Sequence, residues 1–523
     1  MRRTTQIRRG SVLLLVLIVA AMLALAATSF FRLMFREHKA ARTTARAVQT
    51  RALAESGVVM AKYMLLLEPD LQMQYGGIVN NPSGMQGVLV LDSDVAALRG
   101  RFTILAPAQE NGIYQGIRFG MENESARLNL NTLLLADEMQ EGASRNILMG
   151  LPGMTPMIAD AILDWIDADD ETREFGAERD YYSTLASPYQ PQNGPLACIE
   201  QLLLVRDMTP ELLYGADHNR NYVVDSDEQG FTQMSDVDNS DGSMNRGWDA
   251  YFTLFSAERN TRDDGSAKID VNMENLQELH NQLSAVMDAD QANFIVAYRQ
   301  GGPYTADPAA AAAAGEAAPT TPKAAGALNL NFEDPGAVAL ANILDLIGSQ
   351  TRVVEKGQTE RTVVETPFRS DPGAMRGYLP ILMENITVNA GATIPGRLSI
   401  NQAPRGLLLG VPGMPPEVVD AIVANRDFEV LPERPDRKYE TWILTEGYVE
   451  LAQMRTLMPF LTGAGDVYRA QVAGYFEAEG PTERLEVVID NTTGTPQVVD
   501  LRELKALGPG FSVQTLGADL AEL

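Results

Sequence analysis

The strongest constraint in this sequence is an uncharged apolar run at residues 11–31, preceded by four arginines among the first nine residues. At 1.5 Å per residue, the run is about 30 Å long, the thickness of a bilayer's hydrocarbon core. The arginines predict a cytoplasmic N-terminus and export of the residues after the run. A cleaved signal peptide is the alternative, because a basic leader, an apolar segment and the small residues Ala24, Ala26 and Ala27 also suit signal peptidase.

The residues after the run favour retention of the segment. Residues 11–68 contain no proline and a single glycine, Gly57, and good helix formers predominate. We therefore predict one helix of about 85 Å, ended by Pro69. Its second half alternates basic and apolar residues, which is typical of a helix that leaves a membrane and packs on a domain.

A basic leader, residues 1–10, followed by such a helix resembles a precursor of the type IV pilins and pseudopilins. The resemblance implies cleavage after Gly10 by a prepilin peptidase, with Ser11 as the new N-terminus and 11–68 as the transmembrane and assembly helix. Most of the superfamily has glutamate at the fifth mature residue, where this chain has Leu15. An unpartnered buried carboxylate is costly, so its absence suits a subunit with no neighbour above it. The alternative is that Leu15 belongs to an ordinary membrane anchor.

Composition limits the remaining choices. A chain of 523 residues suggests three or four domains. The net charge of -27 is poorly suited to nucleic acid and well suited to metal cations. The single cysteine, Cys198, excludes an intramolecular disulfide.

Strand-like runs occur at both ends of the region after the helix. They lie at 88–91, 101–106 and 113–119, and again at 467–476, 484–490 and 497–501. We predict an α+β fold in which a pilin-like antiparallel sheet is split between residues 69–127 and 464–523. The long helix packs on this sheet, and a large, mainly α-helical insertion separates its two halves.

The insertion contains an internal repeat. Copies are assigned to residues 128–260, 261–397 and 398–463, and the second includes an alanine-rich linker, 308–327. Each copy is predicted as a short strand, a helix, a tight turn and a second helix. The first and third have Pro-Gly-Met hairpins at Gly153 and Gly413, which resemble helix-hairpin-helix modules.

A nucleic-acid-binding hairpin needs a second glycine, so that backbone N–H groups can approach a phosphate. Here Thr155 and Pro415 occupy that position, and Pro415 has no N–H to donate. Neighbouring acidic residues would also repel a phosphate backbone. The hairpins therefore favour structural helix packing. The alternative function is a membrane-anchored DNA-uptake or surface-binding protein.

The order of motifs from residue 164 to 215 closely resembles the helical domain of protein K, a minor pseudopilin family of the type II secretion system. The leader, the Asn-Leu-Asn motif at 129–131 and the ending near Gly508 agree with this family, so the resemblance covers nearly the whole chain. The departures are insertions, particularly between 215 and 248 and in the alanine-rich tract.

Two acidic segments are predicted to bind structural Ca2+. The clearer one has the spacing of an EF-hand loop, with oxygen ligands at positions 1, 3, 5, 7, 9 and 12: Asp217, Asn219, Asn221, Val223 through its carbonyl, Asp225 and Glu228. The glycine usual at position 6 is Tyr222, which is expected to compromise the turn. The weaker candidate is a set of hard oxygen ligands: Asp164, Asp167, Asp169, Asp170 and Glu178. Calcium in the helical domain is also what the protein K resemblance implies.

The sequence thus predicts a minor pseudopilin at the tip of a periplasmic pseudopilus, which initiates assembly and caps the filament. It would be a single-pass inner-membrane protein with a cytoplasmic N-terminus and a periplasmic globular region. The partners implied by the resemblance are the prepilin peptidase and other minor pseudopilins in a tip complex, with secreted cargo and the outer-membrane channel as further candidates. The three histidines show no catalytic pattern, so no enzymatic activity is expected.

Overall fold

The structure is a computed structural model, and it describes residues 9–232, 237–305, 322–478 and 480–518. The α-helices are α1 Arg9–Leu66, α2 Pro69–Gln74, α3 Pro82–Met85, α4 Leu135–Met139, α5 Ala143–Met149, α6 Pro156–Ile166, α7 Arg179–Ser183, α8 Pro210–Tyr214, α9 Leu276–Ser284, α10 Ala289–Gly301, α11 Pro372–Asn385, α12 Arg405–Gly410, α13 Pro416–Asn425, α14 Trp442–Thr445 and α15 Leu451–Leu457.

The strands are β1 Val88–Leu91, β2 Gly100–Glu110, β3 Ile113–Arg118, β4 Glu122–Asn123, β5 Leu128–Asn129, β6 Phe252–Thr253, β7 Ala257–Arg259, β8 Ile269–Asp270, β9 Lys323–Ala324, β10 Gln350–Val354, β11 Arg361–Glu365, β12 Ile386–Thr387, β13 Thr393–Pro395, β14 Leu398–Ser399, β15 Leu461–Thr462, β16 Val467–Phe476, β17 Glu483–Asp490 and β18 Gln497–Glu503.

Helix α1 is one continuous helix of 58 residues, and it ends at Leu66, three residues before Pro69. By length and composition its apolar part is able to cross a membrane. The N-terminal part of α1, residues 12–45, is exposed, whereas its C-terminal part buries Leu53, Ala54 and Ala61 against the sheet. The structure therefore confirms the predicted long helix, which is apolar in its N-terminal part and packs on the domain with its C-terminal part.

The sheet on which α1 packs joins the two ends of the globular region. Its strand order is β1-β2-β16-β17-β18, with β3 and β4 paired at its margin, and all these pairings are antiparallel. Strand β2 pairs directly with β16, so strands more than 350 residues apart in sequence are neighbours. A Cβ on Gly474 would overlap the backbone of α1, which explains how the helix approaches the sheet so closely. The α+β fold with a split sheet is confirmed.

Three segments of the insertion share one order of elements. In each, a two-residue strand is followed by helices, and it pairs in parallel with a second short strand later in the chain: β5 with β6, β8 with β12, and β14 with β15. A basic residue before the first strand donates to a carbonyl three residues before the second strand. These bonds join Arg127 to Asp249 O at 3.1 Å, Lys268 to Met383 O at 2.7 Å, and Arg397 to Met458 O at 3.5 Å.

The asparagine that follows the first strand of each segment also has a repeated role. Asn131 and Leu196 exchange two hydrogen bonds, in which the amide donates to Leu196 O at 3.0 Å and accepts from Leu196 N at 2.7 Å. Asn272 makes the same exchange with Leu340, at 3.0 and 2.8 Å. Asn401 instead donates to Arg437 O and Gly463 O. Each side chain therefore fixes a returning loop onto its own segment.

The hairpin helices of the first and third segments pack on each other. Gly150, directly after α5, and Gly410, the last residue of α12, approach so closely that a Cβ on either would overlap the other helix. The hairpin residues Gly153 and Gly413 have φ values of 68° and 77°, as a tight turn requires. Trp248 donates its indole N–H to Pro152 O at 2.8 Å, which ties the first hairpin to the chain before β6. These contacts give the glycines a role in helix packing.

The predicted linker at 308–327 lies outside the described residues as far as residue 321. The remainder forms β9, which pairs in parallel with β11, and a short 3-10 helix at Ala325–Ala327.

Candidate functional site

An acidic cluster lies where α6 ends and the following loop returns over it. One carboxylate oxygen from each of Asp164, Asp167 and Glu178 lies within 4.8 Å of the others. Helix α6 is capped by Thr155 and is buried along most of its length, which fixes the first carboxylate in the core. A Cβ on Gly176 would overlap Asp164 Oδ2, so only glycine lets the loop close over this carboxylate.

One guanidinium lies between two of these carboxylates. Arg173 Nη1 donates to Asp164 Oδ1 at 2.8 Å and also to Asp167 Oδ2. Burial nevertheless raises the pKa of both aspartates, which the hydrogen bonds from Arg173 only partly offset. With Arg173 counted, the three carboxylates leave an excess of two negative charges when all are ionised.

Glu178 is the least satisfied member of the cluster. Its side chain is buried, and both carboxylate oxygens lack a hydrogen-bond partner among the described residues. Burial raises the pKa of Glu178 to about 7, and the nearby Asp164 and Asp167 raise it further in the same direction. An oxygen-rich, buried and under-neutralised group of this kind is suited to a hard divalent cation.

The other two carboxylates assigned to this cluster lie outside it. Asp169 and Asp170 are exposed. Asp169 accepts from Glu171 N at 2.8 Å, and Asp170 accepts from the Asn193 side chain at 3.1 Å. Asp160, one turn before Asp164 on α6, is also buried, but it pairs with Arg145 at 3.2 Å and accepts from Phe175 N at 3.1 Å, and it lies outside the group of three carboxylates.

The EF-hand-like loop, residues 217–228, folds around its own carboxylates. Asp217 accepts from Asn221 N at 3.0 Å and from Tyr222 N at 2.8 Å. Glu228 accepts from Asn219 N and from Asp225 N, each at 3.1 Å. Hydrogen bonds from the loop's own backbone therefore satisfy the carboxylates at its first and last positions.

The side-chain amides of this loop converge on its ninth position. Asn219 Nδ2 donates to Asp225 Oδ2 at 2.8 Å, and Asn221 Nδ2 donates to the same oxygen at 2.9 Å. Asn219 Oδ1 is buried and lacks a hydrogen-bond partner among the described residues. Val223, the ligand predicted at loop position 7, donates its backbone N–H to Asn221 Oδ1 at 2.9 Å.

The sharp turn at position 6 is present despite the missing glycine. Tyr222 has a φ of 69° and Arg220 one of 53°, both in the left-handed region that glycine adopts more readily. Tyr222 is buried, and the Arg246 guanidinium lies 4.6 Å from the centre of its ring. Tyr222 therefore makes the turn at a cost in backbone strain, and the effect of that strain on cation binding stays a prediction.

The same loop rests on the split sheet. Arg484 Nη2 of β17 donates to Asn219 O at 2.6 Å, and Gln471 Nε2 of β16 donates to Arg220 O at 2.7 Å. Asn221 Nδ2 donates to Gly510 O at 2.7 Å. The loop thus connects the insertion to the sheet and to the C-terminal segment.

The processing residues lie at the start of α1. Gly10 and Ser11 are within its first turns, and the side chains before Val12 lie outside the described residues. Leu15 is 63% exposed on the helix surface, as are its apolar neighbours. This surface is available to a membrane or to other helices.

The comparisons with known proteins identify one segment. Residues 126–216 match the family model described as Type II secretion system (T2SS), protein K, which confirms the recognition of that family from the sequence. No curated protein sequence matches the chain. Among solved structures, a chain of the GspK-GspI-GspJ complex from the enterotoxigenic Escherichia coli type 2 secretion system is similar at 10% identity and a TM-score of 0.31. That similarity covers 88% of this chain and 98% of the other.

Proposed function

We propose that this chain is a minor pseudopilin of the protein K family that sits at the tip of a periplasmic pseudopilus, starts its assembly and caps it. The matched family model covers residues 126–216, so the role of the whole chain rests on the sum of its parts. These parts are a helix able to span a membrane, a split sheet packed on it, and a large insertion that contains the matched segment.

The position of the insertion is the observation that carries the proposal. The chain leaves the sheet after β4 and returns to it at β16, so more than 300 residues emerge between two halves of one sheet. A body of this size beside a single assembly helix would prevent a similar subunit from stacking on the same side. Leu15 agrees with this arrangement, because an apolar residue needs no amine from a subunit above it.

The membrane placement follows from α1. The apolar part would hold the precursor in the inner membrane, with the leader arginines in the cytoplasm and the globular region in the periplasm. After cleavage between Gly10 and Ser11 by a prepilin peptidase, the same helix would pack against the helices of other minor pseudopilins. The proposed role is structural, with secreted cargo and the outer-membrane channel as candidate contacts of the tip.

We also propose that Ca2+ stabilises the insertion. Asp164, Asp167 and Glu178 would hold one ion, and Arg173, which is partly exposed, would turn towards solvent. A cation there would neutralise the excess negative charge and supply the partner that Glu178 lacks. The loop 217–228 is the second proposed site, where Asp217, Asp225 and Glu228 would supply the charge.

Assembly is tested by co-expressing the full chain with the pilin-like subunits of the same system and labelling it with gold-conjugated antibody. We expect the label at filament ends, and we expect few filaments when this chain is not expressed. Label spread along filaments would contradict the tip position. In the same preparations, N-terminal sequencing should begin at Ser11, whereas a start between residues 25 and 28 would indicate signal peptidase and contradict the assembly helix.

Calcium is tested on the detergent-solubilised full chain. Thermal unfolding should shift to lower temperature on addition of a chelator, because an ion that binds only the folded state stabilises it by mass action. An unchanged midpoint would contradict both sites. Salt-sensitive binding of duplex DNA by the same preparation would instead support the DNA-uptake alternative.

A further inference from the structure

The part of α1 between the apolar run and the domain carries a cluster of basic residues, here called the basic stripe: Arg32, Arg36, Lys39 and Arg42. All four side chains are exposed. Between residues 32 and 42 the only acidic residue is Glu37. The next cation, Arg46, is already used by the domain, since it donates to Ala97 O at 2.8 Å and lies over the ring of Phe476.

The basic stripe lies on the helix face that points towards the domain. With 3.6 residues per turn, its four residues and the buried Thr50, Leu53 and Ala54 fall within an arc of about 120°. The side of α1 that packs on the sheet near its C-terminal end is therefore the side that carries the basic stripe nearer the apolar run. The stripe therefore lies between the apolar run and the domain, on the same side of α1 as the sheet.

The distances place the stripe beside the headgroups. At 1.5 Å per residue, Arg32 lies about 1.5 Å and Arg36 about 7 Å beyond Phe31, where the apolar run ends. The headgroup layer adds roughly 5–7 Å to each side of the hydrocarbon core. Lys39 and Arg42, about 12 and 16 Å beyond Phe31, lie within reach of that layer through their long side chains.

The basic stripe is positively charged, whereas the globular part of the chain is strongly negative. The first 68 residues contain 11 lysines and arginines and three acidic residues, so residues 69–523 account for a net charge of -35. An anionic membrane surface would repel this acidic domain and attract the stripe. The two forces together would hold the domain away from the bilayer while the base of α1 stays at its surface.

We propose that Arg32, Arg36, Lys39 and Arg42 bind the phosphate groups of anionic phospholipids in the leaflet at which the apolar run ends. This rests on the membrane placement proposed above. Lipid is favoured over an acidic protein partner because the stripe continues directly from the apolar run and its first two members lie at headgroup depth.

The test uses the full chain inserted in vesicles of equal phosphatidylglycerol and phosphatidylcholine, then extracted in mild detergent. Mass spectrometry of the retained phospholipid should show phosphatidylglycerol enriched about fivefold, the ratio that one cation near an anionic surface supports. The variant with Arg32, Arg36, Lys39 and Arg42 all changed to Gln should retain the two lipids at the vesicle ratio. A matched variant with Lys356, Arg361, Arg369 and Arg376 changed to Gln should behave as wild type.

Equal retention of both lipids by the wild type, or enrichment that survives in the stripe variant, would overturn the proposal. The same holds if the stripe variant loses only its co-purification with pilin-like subunits, which would make the stripe a protein contact. Processing at Ser11 and recovery in the membrane fraction report the proposed function separately, so either idea is able to fail alone.

Discussion

The acidic cluster at the end of α6 and the EF-hand-like loop 217–228 are both rich in carboxylates, yet the structure satisfies them in opposite ways. In the loop, Asp217 and Glu228 accept backbone N–H groups from the loop itself. In the cluster, Glu178 has two buried oxygens without a partner among the described residues, and one guanidinium serves two aspartates. The loop has the better metal-binding spacing, yet its own backbone already supplies hydrogen bonds to its carboxylates. The cluster has the poorer spacing, but its unpartnered carboxylate has the greater need of a cation.

This difference predicts that the cluster tolerates structural change less well than the loop. Gly176→Ala places a Cβ against Asp164 Oδ2, so the returning loop must move and the three carboxylates must separate. We expect the free energy of unfolding to fall by about 3 kcal/mol, the upper range for overpacking a buried site. Denaturant titration of the full chain in detergent with calcium present measures this change.

The matched control is Gly230→Ala, at the end of the EF-hand-like loop. A Cβ there meets no atom within 4 Å. This variant should stay within about 0.5 kcal/mol of the wild type. Equal losses in the two variants would remove the contrast between the cluster and the loop.

The second prediction concerns the pH dependence of stability in chelator. The pKa of Glu178 is raised to about 7 in the folded protein, above its ordinary value, so the folded state holds this proton more tightly than the unfolded state. The contribution of Glu178 to stability is then fully present below about pH 4.5 and is lost as the pH rises through 7. At about 1.4 kcal/mol per pKa unit, a rise from 4.5 to about 7 corresponds to a loss of about 3 kcal/mol by pH 7.

Glu178→Gln should remove most of this slope, because its amide does not titrate. Denaturation midpoints at several pH values between 5 and 8 give the comparison. A slope unchanged by the substitution would assign the titration to another group. Saturating calcium should flatten the wild-type slope in the same way, since a bound cation would favour the ionised form.

The third prediction strengthens the loop as a cation site. Asn219→Asp replaces the amide that donates to Asp225 Oδ2 with a second carboxylate beside it. In chelator, the variant should lose about 1 kcal/mol through like-charge repulsion and the lost hydrogen bond. With calcium, it should gain more stability than the wild type gains, because the loop then offers one more charged ligand. Thermal unfolding with and without calcium decides, and an unchanged calcium effect would contradict a site in the loop.

Local pattern was sufficient to predict the elements that depend on neighbouring residues. The absence of proline in 11–68 predicted α1, and alternating apolar residues placed β16, β17 and β18 within a few residues of their observed bounds. The α+β class followed from these same runs. Their pairing across the insertion rests on the burial of both halves against a single helix face.

The composition of the two acidic sites depends on contacts that are distant in sequence. Asp169 and Asp170 were grouped with Asp164 by spacing, but the chain turns outward after α6 and returns to Asp164 only at Arg173 and Gly176. The turn at Tyr222 is held by Arg484 and Gly510, more than 250 residues away, through their bonds to Asn219 and Asn221. No local pattern carries that information.

The smallest expected effect tests whether the exposed Asp169 takes any part in cation binding by the cluster. Asp169→Asn changes an exposed carboxylate whose oxygen accepts from Glu171 N, and an asparagine oxygen is able to accept the same bond. The free energy of unfolding should change by less than about 0.5 kcal/mol. The calcium-dependent shift in thermal unfolding should be unchanged. Asp164→Asn is the comparison, and it should abolish most of that shift because Asp164 is fully buried within the cluster. If Asp169→Asn weakened the calcium response as much as Asp164→Asn, the ion would have to be held further out, by the exposed loop after α6.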